Sequence, residues 1–108
     1  MSSLYDITRA RGGKDDFAVE KGLSEKESEL RAGSTVEIKI DRYSPWEGCD
    51  RVEIHSNGVY FHDRSDHTFS PVVIKSTVRI LHRFGLTGHF SIKVHGDEIT
   101  VQPLQINR

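Results

Sequence analysis

The chain holds a single cysteine, Cys49. An internal disulfide is therefore excluded, and so is a zinc site built on several thiolates. Charge of one sign is lacking too. Fifteen Lys and Arg face sixteen Asp and Glu, for a formal net charge of -1, whereas a chain that lives by gripping nucleic acid carries a basic surplus. No stretch approaches the roughly 18 apolar residues of a spanning helix. The start, Met-Ser-Ser-Leu-Tyr-Asp, has no basic segment followed by an apolar run, so no signal peptide is read there. A soluble, cytoplasmic protein without a membrane partner is the expectation. G-x-S-x-G, a phosphate-cradling glycine loop, H-E-x-x-H and a dinucleotide fingerprint are all missing from the sequence, so no catalytic residue and no cofactor are assigned and a non-enzyme is expected. At 108 residues and 35% hydrophobic content, the chain supplies one domain with one modest core.

What is present begins with Phe69–Gly85. Ser70 is a good N-cap, Pro71 suits the first helical position, and Gly85 supplies a left-handed stop, which predicts a helix over 71–84. Val73, Ile74, Thr77, Ile80, Leu81 and Phe84 recur at three- and four-residue steps as one apolar stripe. Lys75, Arg79, His82 and Arg83 fall outside it and read as an exposed basic strip, so Arg79→Ala is expected to leave stability nearly unchanged.

Strand chemistry surrounds that helix. Val36, Ile38 and Ile40 alternate with polar residues, the period-two pattern of a sheet with one wet face. Tyr43–Asp50 reads as a loop holding Pro45, Gly48 and the sole tryptophan, Trp46. Two runs flanking Asn57-Gly58 predict a hairpin that pairs Ser56 with Val59 and Ile54 with Phe61, with Glu53 opposite His62. Val52, Ile54, Val59 and Phe61 then share the core face, with Glu53, His55, Tyr60 and His62 on the other. A second hairpin is read at Gly96-Asp97, pairing Val94 with Ile99 and Ile92 with Val101. Pro103 ends the pairing or marks an edge. The sum is an α+β domain over 34–108: a mainly antiparallel sheet of about five strands, β-β-β-α-β-β, covered on one face by a single helix. Residues 1–33 read as a flexible N-terminal arm, with a short helix over 25–32 suggested by the Ser24–Glu27 capping box and ended by Gly33.

Charge is uneven along the chain. Residues 1–33 carry six basic and seven acidic side chains, residues 34–69 four and seven, and residues 70–108 five and two. The helix and the residues after it thus form a basic end. Arg9, Arg11 and Lys14 add basic residues to the arm, beside the opposing Asp15 and Asp16.

Six histidines invite a metal reading around His62 and His67, with Glu53 and His55 nearby, but their spacing matches no metal motif and no metal ligand is assigned. The binding candidates are Trp46, His55, Tyr60 and His62 on the loop and polar sheet face, and Lys75, Arg79 and Arg83 on the helix. Mixed charge with a tyrosine and several histidines resembles a protein-contact surface. The expectation is a small non-enzymatic binding domain of adaptor or inhibitor type, acting through a protein partner. Pairing of two copies through sheet edges is compatible with it. The alternatives are a nucleic-acid-associated protein using the basic outer face of helix 71–84, and a metal-dependent enzyme centred on His62 and His67.

Overall fold

The computed structural model describes residues 14–62 and 72–105. Six elements run in chain order: α1 (Lys14–Glu25), α2 (Glu27–Arg31), β1 (Val36–His55), β2 (Gly58–Phe61), α3 (Val72–Arg83) and β3 (Gly88–Leu104). The sheet is antiparallel with strand order β2-β1-β3. Its five apolar stripes are those expected from the alternation, but three continuous strands carry them, because β1 and β3 each run through a bend instead of stopping. No helix among the described residues is long and apolar enough to cross a membrane.

The bend corrects two readings. Tyr43–Asp50 is part of β1, not a loop. The Gly96-Asp97 turn is not made either: β3 passes through it and pairs with β1 on both sides, Val36 with Val101 and Val52 with Phe90. The pattern behind the hairpin reading is real. Phe90, Ile92 and Val94 are buried before Gly96, and Ile99 and Val101 after it, so the inward set changes from even to odd positions. A two-residue hairpin turn or an irregular step in one strand produces the same change of face. Here the step is a pair of register shifts, between Lys39 and Ser44 and between Ser44 and Gly48, with Gly96 at φ +63°. Glycine suits that left-handed backbone because it has no Cβ to clash.

The first hairpin is also shifted. Ile54 pairs with Val59 and Val52 with Phe61, so the turn residues are Ser56-Asn57 and Gly58 opens β2. The displacement from the expected register is two residues, and an even shift keeps every side chain on its face. Val52, Ile54, Val59 and Phe61 are buried as expected.

The helices complete the core. The stretch 14–25, read as part of a flexible arm, is α1, and it packs on α3 and the sheet through Val19 and Leu23. The short helix begins at Glu27, preceded by Lys26 without a side-chain cap, so the Ser24–Glu27 capping box is not formed. Gly33 and Gly85 both close their helices with left-handed φ. After α3, Gly85 N–H donates to His82 O and Leu86 N–H to Leu81 O, a Schellman closure that satisfies the last carbonyls. Arg31 donates to Phe84 O at 2.6 Å, tying α2 to the same end.

The chain needs α3 covered on more than one side. Val73, Ile74, Ser76, Thr77, Val78, Arg79, Ile80 and Leu81 are all buried. The apolar stripe faces the core as expected, and α1 lies against the side that carries Arg79 and Arg83. The sequence predicts a single roofing helix; α3 is the main one, and α1 backs it.

Candidate functional site

Three neighbouring strands bring an acid and three imidazoles together on the polar sheet face. Glu53 stands on β1, with Tyr60 of β2 opposite on one side and His89 of β3 opposite on the other. His62 comes directly after β2, and its backbone N–H donates to Arg51 O at 2.8 Å, continuing the ladder by one step. The backbone ladder therefore sets where each side chain begins.

Their heads converge on one carboxylate. His62 Nε2 lies 3.0 Å from Glu53 Oε1, and His55 Nε2 lies 2.8 Å from Glu53 Oε2. His89 Nε2 is 3.7 Å from Oε2. The His62 and His89 rings stack, with centroids 5.8 Å apart and planes at 22°. His55 meets the edge of Tyr60 at 5.5 Å and 86°. The hydrogen bond from His62 holds the Glu53 carboxyl below its ordinary range; desolvation opposes it, and the charges of His89, His55 and His62 add to the lowering. The carboxylate form that can accept from several donors at once is the one favoured. Side-chain exposures of 25% for Glu53, 28% for His89 and 44% for His62 leave water able to reach the group. A cavity of about 190 Å³ lined by Arg51, Val52, His62, His89 and Leu104 adjoins it.

Of the expected binding residues, the fold brings together His55, Tyr60 and His62. Trp46 falls within β1, and its side chain lies outside the described residues, as do His67, Ser70, Pro71, Arg9 and Arg11. The helix strip is not the open surface expected of it. Arg79 is buried and pairs with Asp16 of α1. Arg83 reaches Asp16 and Glu20 at 3.3 Å each, and His82 Nε2 lies 3.0 Å from Ser56 O in the hairpin turn. Lys75 is half-buried. The physical reason is complementarity: α1 presents carboxylates where α3 presents guanidinium groups, and a buried charge is tolerated when it is paired.

Sequence reasoning misses His89 as a member of the cluster. A signal exists, because His89, Ser91 and Lys93 alternate with Phe90, Ile92 and Val94 and so belong to the polar face. Placing it beside Glu53 requires knowing that β3 pairs with β1 along its whole length. The Cys49 thiol lies 2.8 Å from Ser91 Oγ on the same face. A scan against protein-family models and searches of the curated proteins and of the solved structures found no match.

Proposed function

We propose that this chain is a small non-enzymatic binding domain that acts through a protein partner, engaged by adding an extended segment of that partner to the outer edge of β3. One observation supports this reading above others: β3 runs for 17 residues with a single strand neighbour, β1, among the described residues. A long edge of that kind presents a row of backbone donors and acceptors to any extended chain. Specificity then comes from side chains beside the edge, and Lys93 and His95 are exposed there. The nucleic-acid alternative draws less support, since the guanidinium groups it relied on are matched by Asp16 and Glu20.

The experiment is purification of the full chain with its partner from the native host, followed by amide hydrogen exchange of the free and bound forms. The expected result is slowed exchange concentrated in Gly88–Leu104. A complex that leaves these amides unchanged, or a chain that recovers neither a partner nor a second copy of itself, overturns the reading. A self-complex protecting the same strand assigns the edge to a second copy.

A further inference from the structure

We infer that Glu53, His62 and His89 form a binding site for a borderline divalent transition-metal ion of the zinc type. The inference goes beyond the protein-binding reading and is independent of it. Each residue offers one ligand atom, and these three atoms lie within 4.8 Å of one another. Zinc bonds of about 2.0–2.1 Å at tetrahedral angles place ligand atoms about 3.3 Å apart. His62 Nε2 lies 3.0 Å from Glu53 Oε1 and His89 Nε2 lies 3.7 Å from the other oxygen, Oε2, so each imidazole already flanks one carboxylate oxygen at close to that edge length. With all three ligand atoms within 4.8 Å of one another, these partly exposed side chains need to close by no more than about 1.5 Å to reach that edge length around an ion.

The donor set selects the class of ion. Two imidazoles and one carboxylate suit zinc and its neighbours, whereas calcium and magnesium favour oxygen ligands throughout. A neutral imidazole binds through a bare nitrogen, so His62 and His89 must carry their protons on Nδ1, with Nε2 released from Glu53. Direct cross-strand pairing of Glu53 with His89 and the His62–Arg51 backbone bond hold the three origins in place before any ion arrives. His55 bonds Glu53 Oε2 at 2.8 Å and steadies the carboxylate from the side. The adjoining cavity, which shares His62 and His89 with the site, has room for water as a fourth ligand. The His95–Glu47 pair provides the contrast. It too sets an imidazole on a carboxylate, at 2.9 Å with both side chains more than half exposed, yet no third donor joins it among the described residues.

The test uses the full chain purified without a polyhistidine tag and stripped with a chelator. Zinc is titrated calorimetrically, and cobalt(II) by its visible ligand-field absorption. The expected result is one ion per chain, with Glu53→Gln and His89→Ala each weakening zinc binding by at least about tenfold and abolishing the cobalt band. His95→Ala should change neither. Circular dichroism of the metal-free variants checks that they fold, and His89→Gln, which keeps a polar side chain on that strand, supplies the same readout should His89→Ala fail to do so. Absence of a saturable site, or an affinity for the His89 variants equal to that of His95→Ala, overturns the inference.

Discussion

At Arg79 a guanidinium lies where a leucine would ordinarily pack. Only 6% of the residue is exposed, and Asp16 across from it is 7% exposed. Taking two charges out of water costs several kcal/mol each, and their attraction offsets this only while both are present. Removing one partner of such a pair costs about 3–5 kcal/mol. Arg79→Ala should therefore destabilise by about 3 kcal/mol, toward the low end because Arg83 still reaches Asp16. Ile80→Ala, at a fully buried position, should cost about 2–5 kcal/mol by leaving a cavity. Urea denaturation of the two variants compares them directly. A near-neutral Arg79→Ala, as an exposed strip would give, is the outcome that would show α1 does not seal this face.

The element that the sequence concealed is α1, and the reason can be read from its inward stripe. Asp16, Val19 and Leu23 face inward at helical spacing, but one of the three is a carboxylate, so no apolar period stands out. Gly22 weakens the helical signal further, since glycine is about 1 kcal/mol worse than alanine in a helix interior. Its presence has a packing cause. A Cβ there would lie 3.1 Å from Ile38 Cβ and within 3.3 Å of two more Ile38 atoms, so glycine lets α1 approach β1 closely. Gly22→Ala sets the gain in helix propensity against an overpacking cost of about 1–3 kcal/mol. The expected outcome is a net loss of up to about 2 kcal/mol, visible as a lower thermal midpoint; a clear rise would mean the interface yields. Strands were more legible than helices here. Their period-two pattern survives bends and even register shifts, and so Val52, Ile54, Val59 and Phe61 were placed correctly despite a misplaced turn. The connections were not legible, because a hairpin turn and a bulge reverse the inward set in the same way.

For the molecule as a whole, all of the candidate site but His89 could be seen without the fold. Glu53, His55 and His62 share a face by alternation within a local hairpin. His89 joins them from a strand distant in sequence, and no local pattern reports that meeting. The uneven charge along the chain is likewise resolved in space: basic side chains of α3 meet acidic ones from α1, as Arg79 and Arg83 do with Asp16 and Glu20. Charge that reads as a gradient along the sequence is neutralised across an interface in space.

The pairing of β1 with β3 also governs how this molecule comes into being. Val36 meets Val101 and Ile54 meets Gly88, so the central strand has its main neighbour in an element synthesised well after it, beyond β2 and α3. During translation β1 can close only its small hairpin with β2, and the sheet stays incomplete until β3 has emerged. Loop closure over so much chain is slow, and topologies dominated by distant pairings fold in about milliseconds to seconds. Stopped-flow refolding should place this chain in that range, not among the microsecond folders. A microsecond phase carrying the full amplitude would mean that the helices, and not the long ribbon, set the pace.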